Sequence, residues 1–269
     1  MKTAKAFTLT VLITFLLCTI TIAYANPITI TPEEITGTDD IHFEGSTLKF
    51  TENITDATIT IDASNITVDG RAYTLQNTSI TLANAINVTF TNMIFNDTGT
   101  KDAITLMNSS KITVTNSTIS GAQTAIAIAG GTENQIIACT LTGNSKDLTV
   151  TNMIEETLTA TSLTCYLNNF MDANNVETAL ISGGTVEPII AFSNGTHGNH
   201  WLDYNGVDAN IDGIGDTPYN ITETIRDHYP LMTQYPTTVI PEFPTWSIPL
   251  ITLAATSICI IIRKRMEVH

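Results

Sequence analysis

Short runs in which aliphatic and polar residues alternate recur along this chain at a near-constant interval. The runs ITI from Ile59, ITL from Ile80, ITL from Ile104, IAI from Ile126 and LTV from Leu148 are spaced by 21, 24, 22 and 22 residues. A second run follows each of the first four: ITV from Ile66, VTF from Val88, ITV from Ile112, and QII ending at Ile137. A period of two puts aliphatic side chains on one face of a strand and mostly Thr on the other, while the Asn, Gly, Ser and Asp between runs mark turns.

A repeat of this length means stacked units, none of which can bury its apolar face alone. Leucine-rich horseshoes share the interval, but their L-x-x-L-x-L-x-x-N phrase and helical half are missing. Two or three β-branched strands per unit predict an all-β fold, a parallel β-helix, with coils stacked at about 4.8 Å. About six to eight coils would make a rod of roughly 30 to 40 Å. Stacking assigns one core wall to Ile59, Ile61, Ile80, Leu82, Ile104, Leu106, Ile126, Ile128, Leu148 and Val150. The next wall takes Ile66, Val68, Val88, Phe90, Ile112 and Val114. Asn92 and Asn116, 24 residues apart, are candidates for an amide ladder at a bend. Asn116 also lies in a glycosylation sequon, and a buried ladder position cannot carry a glycan.

The ends have a different character. Lys2 and Lys5 precede an apolar stretch from Phe7 to Ile22 that closes on Ala23-Tyr24-Ala25, the pattern of a cleaved secretory signal over residues 1–25. At the far end, residues 247–262 are apolar and uncharged, Trp246 stands at their edge, and Arg263-Lys264-Arg265 follows. That order predicts one C-terminal transmembrane helix, with the basic tail of residues 263–269 in the cytoplasm unless the tail is processed. Sixteen helical residues reach about 24 Å against a hydrocarbon core of about 30 Å, so the segment is short. Between them lies an ectodomain: coils over about residues 50–195, a cap over about 196–232, and a Pro-containing linker over 233–246.

Charge narrows the partners. Residues 26–246 keep all but one of the 26 acidic residues and 6 of the 11 basic ones, a net charge near −19. Such a surface repels phosphate backbones, which excludes nucleic acid. Only Cys139 and Cys165 fall in the ectodomain, about one coil apart. Flat stacking does not itself supply the torsion a disulfide needs, so two buried thiols are expected. Nine N-x-S/T sequons occur, at Asn53, Asn65, Asn77, Asn87, Asn96, Asn108, Asn116, Asn194 and Asn220, and make the chain a candidate glycoprotein.

Candidate chemistry concentrates in GNHWLDYNGVDANIDGIGDTPYN, residues 198–220. Asp208, Asn210, Asp212, Gly213 and Asp216 spell D-x-N-x-D-G-x-x-D, alternate oxygen donors around a glycine turn that suit weak, structural calcium. Tyr219 stands where an EF-hand loop carries its bidentate Glu, so tight binding is not expected. The other reading is a cap: Trp201, Tyr204, Tyr219 and Tyr229 cover the last coil while the aspartates make Asx turns. For a lyase, the ectodomain offers only Arg71 and Arg226 as arginines; for a hydrolase, Asp62 and Asp69 lie near coil edges without a repeated column of acids.

With phrases such as KITVTNSTISG in its coils, the segment GNHWLDYNGVDANIDGIGDTPYNI and the closing DHYPLM, the chain resembles the right-handed β-helix proteins of the NosD type over about residues 35–232. The tail PEFPTW, an apolar stretch and RKR is similar to the sorting or anchoring tails of archaeal surface proteins. The resemblance implies a right-handed solenoid associated with carbohydrate at the cell surface, or copper delivery as in the name-giving member. Soft Cu(I) seeks Met, Cys or His clusters, and the chain offers His197, His200, a distant His228 and the scattered Met93, Met107, Met153 and Met171. The sequence therefore predicts an exported protein on the extracellular face of the membrane, held through its C-terminal segment. Its partners would be cell-envelope or surface glycans; a polysaccharide-active lyase, hydrolase or epimerase is the alternative.

Overall fold

The computed structural model describes residues 26–152, 160–173, 176–179 and 187–237. The expected signal, membrane segment and basic tail lie outside them. Among the described residues no helix is long and apolar enough to cross a membrane.

The described chain is all strand and turn, wound into seven coils whose strands stack in parallel to form three walls. The first wall stacks Asn26–Ile30, Ala57–Ile61, Ser79–Ala83, Ile104–Met107, Thr124–Ala129, Lys146–Thr151 and Val176–Ala179. The second stacks Thr47–Phe50, Ile66–Asp69, Val88–Thr91, Thr113–Thr115, Asn134–Ile137, Ser162–Tyr166 and Ile189–Ala191. The third is built of shorter pieces: Ile54–Thr55, Thr74–Gln76, Ile94–Asn96, Thr118–Ser120, Thr140–Thr142, Asn169–Phe170 and His200–Trp201. At the N-terminal end Ile35–Thr36 and Ile41–Glu44 pair antiparallel on the first two walls, which protects edges that would otherwise template another chain.

Register follows the aliphatic repeats. Ile59, Ile80, Ile104, Ile126 and Leu148 lie directly above one another, as do Ile61, Leu82, Leu106, Ile128 and Val150, and all are buried. On the second wall Val68, Phe90, Val114 and Ile136 stack, and Cys165 continues their column. Cys165 therefore lies over Ile136 rather than over Cys139, which sits in the following turn; both thiols are free and buried. Burial pushes Cys139 up to about 12 and Cys165 well above its ordinary value, so neither is a thiolate near neutral pH. The third wall buries Leu75, Phe95, Ile119, Leu141, Phe170 and Trp201 in one file.

Corners require left-handed backbone, and Asn and Asp supply it at least cost among residues with a side chain. Asn65 and Asn87 stack at one corner, Asn84 and Asn108 beside it, and Asp56, Asn77 and Asp97 at another, all with φ between 47° and 60°. Their amides ladder: Asn87 Nδ2 donates to Asn65 Oδ1 at 3.0 Å, Asn108 to Asn84 at 2.8 Å and Asn77 to Asp56 at 2.6 Å. Asn92 and Asn116 share the corner between the second and third walls, with φ of 53° and 46°. The expected bond between them is not what forms: Asn92 Nδ2 donates instead to Asp69 at 3.0 Å, and both side chains stay half-exposed. The geometry also explains the sequons. In Asn65-Ile66-Thr67, Asn77-Thr78-Ser79, Asn87-Val88-Thr89, Asn108-Ser109-Ser110 and Asn116-Ser117-Thr118 a left-handed Asn is followed two residues later by an outward Thr or Ser. Five of the nine sequons thus arise from corner and strand periodicity alone.

Candidate functional site: the closing cap

The last coil exposes an apolar cross-section that must be covered. Phe170 and Trp201, successive members of the third-wall file, stack with centroids 4.3 Å apart and planes within 7°. Tyr219 lies on the other face of Trp201 at 4.5 Å, and Tyr204 meets Tyr219 edge-on at 6.3 Å. Phe192 closes the side, with its centroid 5.5 Å from that of Trp201. Trp201 is left 4% exposed, whereas Tyr229, expected in the cover, stays 37% exposed. Tyr204 is seated by Gly206 and Gly215, where any Cβ would occupy the space of its ring.

Beneath the aromatics runs a staircase of inward polar groups, each accepting an amide from the coil below. Ser117 Oγ accepts from Met93 N at 3.2 Å, Asn168 Oδ1 from Cys139 N at 2.9 Å, and Asn199 Oδ1 from Asn168 N at 3.1 Å. Asp227 forms the top step: its Oδ2 accepts from Asn199 N at 2.7 Å and Trp201 Nε1 at 2.9 Å, and its Oδ1 from Tyr229 N at 3.0 Å. Burial raises the Asp227 pKa, and donation from Trp201, Tyr229 and Asn199 works against that rise. Gly198 has to be glycine because a Cβ there would fall on the Asp227 carboxylate. The sequence phrase DHYPLM contained this aspartate, but nothing in its spacing distinguished it from the more numerous acids of residues 203–216.

Those acids form an exposed loop wound on its own amides. Asp208 accepts from Asp212 N at 3.2 Å and Gly213 N at 2.8 Å, and Asp216 Oδ2 from Ala209 N at 2.7 Å. Asp212 Oδ1 accepts from Ile214 N at 2.8 Å, and its Oδ2 from Asn210 Nδ2 at 2.9 Å. The fold thus gathers Asp208, Asn210, Asp212 and Asp216 into one turn, their side chains bonded to its backbone amides and to one another. Among the described residues, no three His, Cys, Asp or Glu side chains converge closely enough to hold a metal ion. His197 Nδ1 lies 3.0 Å from Thr196 Oγ1; His200 Nδ1 is buried without a hydrogen-bond partner, and burial lowers the His200 pKa.

Beyond the cap the chain turns back. Leu231 is buried, its N–H donating to Asn199 O at 2.8 Å, and the following residues run down the outside of the third wall. Asn169 clamps this strap at both backbone groups of Tyr235, accepting from its N–H at 2.7 Å and donating to its carbonyl at 2.8 Å. One coil lower, Thr140 Oγ1 lies 2.7 Å from Thr237 Oγ1. A cleft of about 380 Å³ between strap and cap is lined by Leu167, His197, Leu231 and Tyr235. No repeat announced this return, because it uses one amide and one hydroxyl.

Compared with family models, curated proteins and solved structures, the chain gives no match.

Proposed function

We propose that the chain is an exported, membrane-anchored cell-surface β-helix with a structural or adhesive role, and that it binds neutral glycans along its first wall. The coils take the right hand that parallel crossovers favour. The supporting observation is a straight row of outward hydroxyls: Thr29, Thr60, Thr81, Thr105 and Thr149 occupy one register, interrupted only by Ala127. The adjacent row is Ala83, Met107, Ala129 and Thr151. Asp62 stands one coil below Ala83 at the start of the second row, and Glu177, which pairs with Lys146 at 3.4 Å, ends the first on the last coil; neither row carries a charge between them. On so acidic a chain, an uncharged strip with a hydroxyl every ~4.8 Å suits a neutral polymer lying along the axis.

The test is binding of full-length protein in detergent to arrayed neutral and acidic polysaccharides. Binding confined to neutral polymers and lost in Thr81→Glu and Thr105→Glu is expected. Equal binding by the parent and both variants overturns the reading.

A polysaccharide-active enzyme is the second reading, favoured by a cleft of about 440 Å³ lined by Thr178, Glu187, Thr222, Glu223 and Ile225. Two carboxylic acids on one cleft are the minimum for glycoside hydrolysis. Release of reducing ends that disappears in Glu187→Gln and Glu223→Gln would establish it.

A further inference from the structure

The return of the chain after the cap decides which end of the rod faces away from its attachment. A C-terminal anchor joined directly to a C-terminal cap would put the cap against the membrane. Here the clamp of Asn169 on Tyr235, at 2.7 and 2.8 Å, belongs to the sixth coil, and the Thr140–Thr237 contact at 2.7 Å belongs to the fifth. Between these two contacts the chain has already descended one coil toward the N-terminal end. Four coil spacings remain below Thr140, about 19 Å at ~4.8 Å each. The nine residues 238–246 reach about 30 Å when extended, enough to pass the first coil. Pro236, Pro241 and Pro244 favour an extended course, since each fixes φ and removes an amide donor.

We infer that the rod stands with its N-terminal coil nearest the membrane and its aromatic cap outermost, the chain through residue 237 descending the third wall. This rests on the anchor reading proposed above. The end presented to the surroundings is then the cap loop, where Ile211 is 88% exposed and Val207 65%. The N-terminal hairpin around Ser46 is the membrane-proximal end.

The test uses full-length protein in phosphatidylcholine vesicles containing a headgroup-labelled acceptor lipid, with Cys18 and Cys259 replaced by serine. A donor fluorophore is placed at Ser46→Cys or at Ile211→Cys; Cys139 and Cys165 are buried. Energy transfer should be at least twofold greater from position 46 than from position 211. Asn169→Leu, which removes the clamp, should narrow that difference, with Thr140→Val as a milder variant if the leucine variant melts early. Equal transfer from both positions, or greater transfer from 211, overturns the orientation. Protein that fails to float with the vesicles refutes the anchor, and the orientation falls with it. Protein that floats with the opposite ordering refutes the orientation alone.

Discussion

At the scale of single residues, Asp147 is the group most at odds with its surroundings. It is fully buried; its Oδ1 accepts from Asn144 Nδ2 at 2.9 Å, and its Oδ2 has no partner. Burial pushes its pKa up to about 7, the Asn144 amide opposes that rise, and the Asp172 carboxylate adds to it. The neighbouring Lys146 offers no relief, since it turns outward to Glu177 at 3.4 Å. The folded state thus holds its proton to higher pH than the unfolded chain does, so this group's contribution is complete below about pH 4 and is lost as pH rises through about 7. The loss is on the order of 4 kcal/mol. Asp147→Asn should therefore melt several degrees higher than the parent at pH 8, with the advantage gone at pH 4. Parallel melting curves for the two proteins across that range would show that the carboxyl is not protonated in the fold.

Among the elements, the short third-wall strands carry more of the core than their length suggests. Phe95 lies between Leu75 and Ile119 in the register, fully buried. Phe95→Ala should cost about 3–5 kcal/mol by cavity formation, whereas the outward Thr105→Ala should stay within about 0.5 kcal/mol in the same urea titration. Equal losses from the two changes would mean that the assignment of faces is wrong. The first two walls were legible in the sequence because four or five residues suffice to show alternation, as in ITITI or VTFT. The third wall was hidden because two- or three-residue strands such as Asn169–Phe170 leave no period to detect. In the cap, the Asp208–Asp216 motif was legible, while Asp227 and the Asn169 clamp were not, because their partners are backbone groups of distant coils. Calcium in that loop must compete with the amides its carboxylates already accept. A dissociation constant of about 1 mM would add about 1.4 kcal/mol of stability in 10 mM calcium, raising Tm by a few degrees over chelator. An identical Tm in both would mean that the loop is held by its amides alone.

For the whole molecule, stability is a sum over neighbouring coils, so an uncovered end is where opening begins. Trp201, on the last coil, stacks on Phe170 of the sixth coil and reaches Tyr219 and Asp227 of the cap at once. Trp201→Ala should therefore release amide exchange first at residues 189–201 and progressively less toward Ile59, leaving the N-terminal coils protected. Uniform loss of protection along the chain would indicate one cooperative unit instead. The strap gives the same rod a mechanical polarity. A pull on the chain at residue 237 acts along the axis, across the strands rather than along them. It meets the Thr140 contact and the Asn169 clamp one after the other, and then the buried Leu231, before it can reach any coil. Tension applied there would peel away these small fastenings in sequence, and each could close again when the load is released, while the stacked walls stay unloaded.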